Sequence, residues 1–209
     1  MLNNSIKIAE KLIECKAIKI NMNDYYTWTS GIKAPIYCDN RQTISYPEVR
    51  NIIIESFLNI INEKYPDVEV ICGCATAGIP FAALLADRLS LPMVYVRNKP
   101  KAYGLKNQIE GKIKAGQKIL IVEDLISTGG SALNVAQKIR EAGGEIMSII
   151  SIFTYNLKLA EKNFESNDFH YASLLTFDQL SEILYDKSMI NDVQLKELYE
   201  WRDQLQLVK

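Results

Sequence analysis

The 209-residue chain contains a single histidine, His170, and only four cysteines, Cys15, Cys38, Cys72 and Cys74. One imidazole cannot supply the several nitrogens on which many zinc and copper sites rest. The cysteines lack the spacing of a disulfide framework, and a chain this long builds its core without one. Cys72 and Cys74 are read as pointing to opposite faces of a strand, so a shared metal is not expected. His170 reads as a surface or packing residue. No run of about 18 apolar residues is present, so no membrane span is expected. The first twenty residues interrupt their apolar positions with charge, as an amphipathic helix does and a signal peptide does not. The net charge is −1, with 48% hydrophobic and 23% charged residues, which leaves no general surplus for nucleic acid. The expectation is a cytoplasmic globular protein that binds neither membrane nor nucleic acid.

Two phosphate-binding signatures are also missing: GxxxxGK[ST] is absent, and no GxGxxG follows a strand. Residues before Tyr25 hold one helix, too little for a helix-turn-helix domain. The charge is uneven, however. Seven basic residues (Arg97, Lys99, Lys101, Lys106, Lys112, Lys114, Lys118) face one acid, Glu110, between positions 97 and 118, so the rest of the chain sums to −7. Taken alone such a run is a solvated surface loop.

What is present is an alternation. Residues 48–61 carry an apolar helical face; 68–73 reads as a buried strand, 78–90 as a helix, 92–96 as a strand. A long polar segment, 97–117, precedes the strand 118–122, a helix near 130–142 and a strand 145–155. Strands alternating with helices predict an α/β domain with a mainly parallel central sheet flanked by helices. The reading is one domain over 1–209, with a 41–164 core and with 1–40 and about 165–209 as a small cap. Ligands in such sheets bind at the carboxyl ends of the strands, and three of those ends, 73–78, 97–111 and 123–131, carry unusual residues.

The third is the most informative. In "VEDLISTGGS" the glycines Gly129 and Gly130 let backbone N–H groups turn towards an anion, and the following helix offers its positive end. Ser127, Thr128 and Ser131 add hydroxyls. Two acids before a phosphate cradle, Glu123 and Asp124, are incongruous unless the ligand also presents sugar hydroxyls or a hydrated magnesium ion. A ribose 5-phosphate satisfies both halves. The loop "GCATAGIP" (73–80) also joins strand to helix, and a tight turn needing small residues accounts for it equally well on its own.

The acid pair and its loop resemble the PRPP-binding motif of the type I phosphoribosyltransferases (PRPP being 5-phosphoribosyl 1-diphosphate). The stretches "YTWTSGIKAPIYCDNR" (26–41), "YVRNKPKAYGLKNQIEG" (95–111) and "EWRDQL" (200–205) are similar to bacterial orotate phosphoribosyltransferases, and the likeness spans nearly the whole chain. It implies the type I phosphoribosyltransferase fold, PRPP and orotate as substrates, Mg²⁺ carried by PRPP with no direct protein ligand, and a homodimer. Arg97, Lys99, Lys101 and Tyr103 fall in a mobile loop, 97–111, that completes the neighbouring subunit's site. Glu123 and Asp124 hold the ribose hydroxyls, and with Lys101 they are the implied catalytic residues. Leu125, Ile126, Ser127, Thr128, Gly129, Gly130 and Ser131 wrap the 5-phosphate. Ala75, Thr76, Ala77 and Gly78 form the pyrophosphate loop, with a cis peptide at Ala75–Thr76. Ser127, Thr29, Tyr37 and Arg41 face orotate, and the segment from Thr29 to Arg41 lines the base pocket. Two positions depart from the family pattern: Tyr103 replaces a histidine, and Ala77 replaces a lysine found in some members. Purine phosphoribosyltransferases share the acid pair but not the other stretches. Transfer to a purine is nevertheless the first alternative, and a PRPP-sensing regulator on the same fold stands behind it.

Overall fold

The apolar runs become the central strands, and each amphipathic stretch lies against them. The computed structural model describes residues 2–27, 31–97 and 108–205. The chain begins with helix α1 (Leu2–Glu14), followed by four short strands, β1 (Ile18–Ile20), β2 (Tyr26–Thr27), β3 (Lys33–Ala34) and β4 (Ile36–Cys38). β1 pairs with β4 and β2 with β3, both antiparallel. A 3-10 turn, Asn40–Ser45, leads into α2 (Pro47–Lys64). The core then runs β5 (Val70–Cys74), α3 (Gly78–Leu89), β6 (Met93–Val96), β7 (Ile109–Glu110), β8 (Lys118–Ile126), α4 (Gly130–Glu141), β9 (Glu145–Thr154), α5 (Lys158–Glu165) and β10 (Tyr171–Thr176). Helices α6 (Phe177–Asp186) and α7 (Asp192–Leu205) follow. Among the described residues no helix is long and apolar enough to cross a membrane.

Six strands form one sheet in the order β10-β9-β8-β5-β6-β7, parallel except for β7. Every residue of β5 is buried, as expected of a strand covered on both faces. The period-2 alternation divides the core. Ile71, Leu120, Val122, Ile150 and Ile152 face α1, α2, α3, α6 and α7, whereas Val70, Ile119, Ile121 and Ile149 face α4 and α5. Each such side chain contributes roughly 1.5–3 kcal/mol on burial, so a charge at any of positions 119–122 would be severely destabilising.

Two expectations are corrected. The sheet does not end at residue 164: Tyr171–Thr176 pairs parallel with β9 as the sixth strand, and the capping box formed by Thr176 and Gln179 turns the chain directly into α6. Nor do Cys72 and Cys74 diverge. Residues two apart in a strand share a face, and both thiols lie in the apolar cluster with Val70 and Val94. Burial in that cluster pushes both thiols well above their ordinary range. The segments outside the alternation pack on each other: Trp201 Nε1 donates to the Lys33 carbonyl at 2.9 Å, and the Tyr25 hydroxyl donates to Glu197.

Candidate active site

The connections from β5 run towards β6, whereas β8 leads away on the other side through β9 to β10. The strand order therefore reverses between β5 and β8, and a crevice opens at their carboxyl ends, where ligands bind in open α/β sheets. The crevice there has a volume of about 370 Å³ and is walled by Cys38, Asp39, Arg41, Ala75, Thr76, Ala77, Glu123, Asp124, Leu125 and Ser131. Three separate stretches of sequence meet in it.

The first wall is the turn from β5 to α3. The Ala75–Thr76 peptide is cis, as the resemblance implied, and the Ala75 N–H is tied to the Val96 carbonyl at 3.2 Å. Gly78 is fixed by contact: a Cβ there would lie 2.3 Å from the Val122 carbonyl oxygen. α3 can begin against β8 only because that atom is missing.

The second wall is the acid pair. Both residues belong to β8 itself, which continues to Ile126 beyond the expected end at 122. Glu123 is 6% exposed. Burial, followed by the neighbouring Asp124 charge, pushes its carboxyl up to about 8, against a hydrogen bond from Ser131 that acts the other way. The Asp124 N–H donates to Glu123 Oε1 at 3.0 Å. Asp124 is also raised by burial, while hydrogen bonding and the Arg41 charge pull it down. Two acids held this way suit a ligand that brings hydroxyl donors or positive charge.

The strand leads straight into the 127–131 loop. Gly129 has φ +82 and ψ −5 as the residue preceding α4, and no side chain caps the helix. The first N–H groups of α4 are therefore left for an anion. A Cβ at Gly129 would also lie 2.8 Å from the Phe164 ring. α5 braces the loop from outside as well, since Asn163 Nδ2 donates to the Thr128 carbonyl at 3.0 Å.

The third wall is the start of the 3-10 turn. Asp39 accepts from Arg41 Nε at 2.6 Å and from Gln42 Nε2 at 3.2 Å. Although burial pushes Asp39 upward, these donors outweigh it and hold the carboxyl below its ordinary value. Arg41 remains largely exposed, at 63% of its side chain, so its guanidinium has donors to spare. Beside it Asn40 reaches the acid pair, its Nδ2 donating to the Asp124 carbonyl at 2.7 Å.

A phosphoribosyl transferase domain model matches residues 40–173, a span that contains all three walls except Cys38 and Asp39. The chain is 50% identical over 196 residues to an orotate phosphoribosyltransferase of Bacillus cereus strain B4264, covering 94% of this chain and 93% of the relative. It is 45% identical over 199 residues to that of Staphylococcus aureus strain Mu50, covering 95% and 98%. The chain belongs to the orotate phosphoribosyltransferase family. The fold agrees: an orotate phosphoribosyltransferase from Aeropyrum pernix superimposes with a TM-score of 0.75 at 23% identity, over 88% of this chain and 99% of that one. The Leishmania donovani UMP synthase gives 0.79 at 23% identity, over 96% of this chain and 42% of that one.

Against this family frame, the residues singled out in the sequence fall into three groups. Arg41, Ala75, Thr76, Ala77, Glu123, Asp124, Leu125 and Ser131 share the crevice. Ser127, Thr128, Gly129 and Gly130 form the adjoining loop into α4, while Gly78 and Ile126 are buried and pack instead. Tyr37 and Arg97 lie outside the wall: the Tyr37 ring sits 5.9 Å from that of Tyr26, tilted by 45°, and Arg97 pairs with Glu110 at 3.6 Å where β6 meets β7. Thr29, Lys99, Lys101 and Tyr103 lie outside the described residues. Asp39 and Asn40 were not singled out. Their signal was the "DN" preceding Arg41, a helix-start dipeptide.

Proposed function

We propose that this chain is an orotate phosphoribosyltransferase in action as well as in family, transferring the ribose 5-phosphate of PRPP to N1 of orotate. The bond from N1 to the anomeric carbon forms as the bond to pyrophosphate breaks, giving orotidine 5′-monophosphate for pyrimidine synthesis. The observation that carries this reading is the continuity of β8 with the loop into α4: a carboxylate pair for the ribose diol lies one short loop from an uncapped helix start for its 5-phosphate. The cis turn 75–77 faces them across the crevice, where the leaving pyrophosphate fits.

Positive charge develops on the ribose in the transition state, and the carboxylates of Glu123 and Asp124 are placed to stabilise it. The donor set is consistent with magnesium arriving on PRPP. Its wall offers carboxylate oxygens, which suit a hard cation. When bound, Mg²⁺ neutralises charge on the pyrophosphate. Arg97, Lys99 and Lys101 add to that neutralisation from the loop 97–111, which closes over the partner's crevice in a homodimer and excludes water. Tyr103 contributes a hydrogen bond but, with a reference pKa near 10, no neutral-pH proton. Ser127, Thr29, Tyr37 and Arg41 form the orotate side, with Arg41 the partner for its carboxylate. The setting is the cytoplasm.

The test is the loss of orotate absorbance with purified protein, PRPP and Mg²⁺, for wild type and Lys101→Ala. Turnover that requires PRPP and Mg²⁺ and drops at least about 100-fold in the variant is expected, as for removal of an electrostatic transition-state contact. Tight PRPP binding with no turnover of orotate, but turnover of a purine, would overturn the base assignment.

A further inference from the structure

Asn40 opens the 3-10 turn and is 0% exposed. A primary amide buried so deeply must find partners, and its partners are specific. Its Nδ2 donates to the Asp124 carbonyl at 2.7 Å. The Cys38 thiol donates to its Oδ1 at 3.5 Å, which fixes the amide with its N–H groups towards β8. Its own carbonyl accepts from the Thr43 hydroxyl at 2.7 Å. The pairing of β5 with β8 ends at Gly73 and Val122, so beyond that point β8 has lost a neighbouring strand. Asn40 supplies a partner there, from 84 residues away in sequence. The chain neighbours of Asn40, Asp39 and Arg41, both stand in the crevice wall, and so does Asp124.

We infer that Asn40 is a positioning residue that sets the base-side wall in register with the acid pair, and so places N1 of the base over the anomeric carbon. The inference rests on the proposed reaction. Asn40 is buried behind the crevice wall and does not line it. Its hydrogen bond is the described link that ties the segment bearing Arg41 to the strand bearing Asp124. The phosphate loop and the pyrophosphate turn are held by other contacts, from Asn163, Phe164 and Val96. Loss of the link therefore changes how the two substrates are aligned and leaves PRPP affinity in place. Misplacement of reacting atoms by about 1 Å can lower a rate by about 100-fold.

The experiment compares wild type, Asn40→Ala and Asn40→Ser in three measurements: PRPP affinity and stoichiometry by calorimetry with Mg²⁺, orotate KM, and kcat per PRPP-binding site. Both variants remove the amide donor, and serine leaves a hydroxyl for the buried surroundings. The expected result is a kcat per site lower by about 10- to 100-fold, a raised orotate KM, and a PRPP affinity within about 2-fold of wild type. A kcat per site at the wild-type level in either variant overturns the inference, as does a loss of PRPP affinity matching the loss of kcat. If neither variant folds, the residue is structural and the inference fails. Wild-type protein that binds PRPP but never turns over orotate overturns the proposed reaction itself and the inference with it. Wild-type turnover together with unaffected variants overturns the inference alone.

Discussion

Glu123→Gln separates the electrostatic cost of the acid pair from its shape. The substitution keeps an oxygen for the Asp124 N–H and nearly the same volume, but it cannot ionise. Glu123 titrates near 4.5 in an ordinary setting and is pushed to about 8 here, first by burial and then by Asp124. A carboxyl whose folded pKa lies above its unfolded value holds an extra proton in the native state across that window. Its contribution to stability is intact below 4.5 and is lost as pH rises through 8. At 1.36 kcal/mol per unit, the full window corresponds to roughly 4–5 kcal/mol. Asp124 shares the proton, so about 2–4 kcal/mol is the working expectation. The glutamine variant should match wild type at pH 5 and exceed it by that amount at pH 9, roughly 5–15 °C in Tm for a chain of this length. Urea unfolding and thermal melts of ligand-free protein at pH 5, 7 and 9 measure the difference. A gap between variant and wild type that stays constant with pH would refute the reasoning, because packing differences do not titrate. The same variant should lose activity at every pH.

Gly129→Ala meets both a left-handed φ and the Phe164 ring, so it should destabilise the fold by about 1–3 kcal/mol and raise the KM for PRPP more than that for orotate. Melting curves and paired KM measurements check this, and equal KM changes would contradict it. Arg41→Ala removes an ion pair with an exposed guanidinium, which is worth under about 1 kcal/mol. Its melting curve should barely move while the orotate KM rises about 10-fold, the loss of one charge-assisted contact.

The central sheet was legible because β5, β8 and β9 are apolar runs bounded by glycine or charge, and the stripe Ala132, Val135, Ala136 and Ile139 has helical spacing. The acid pair and the glycine loop were legible for a chemical reason: carboxylates beside a phosphate cradle demand a sugar or a cation. β10 was not, because "YASLLT" is short and mixes small polar residues with leucines, and its place is decided by pairing with β9. The individual role of Asn40 was hidden for the same kind of reason, although it lies in the 29–41 segment read as base-lining. In sequence it is an ordinary polar residue at a helix start, and only the fold brings Asp124 within reach of it. The seam between the two ends of the chain, through Trp201 and Lys33, likewise joins residues 168 positions apart.

The features that sequence could not show are those that set the charge state of the acid pair. β8 runs past its neighbour β5 to carry two carboxylates into a crevice where burial raises both. Water does little to relieve Glu123, and among the described residues its donors are the Asp124 N–H, the Ser131 hydroxyl and the Cys74 thiol, none of them cationic. Arg41 lowers Asp124 through its charge, but its Nε is shared with Asp39 and its guanidinium is largely exposed. The native state therefore holds its acid pair poorly compensated, and anything that binds there with hydroxyl donors and divalent charge relieves it. In the proposed reaction PRPP with Mg²⁺ would bring both, so its binding would favour the ionised Glu123, and its affinity should rise with pH across the window in which Glu123 holds a proton in the free protein.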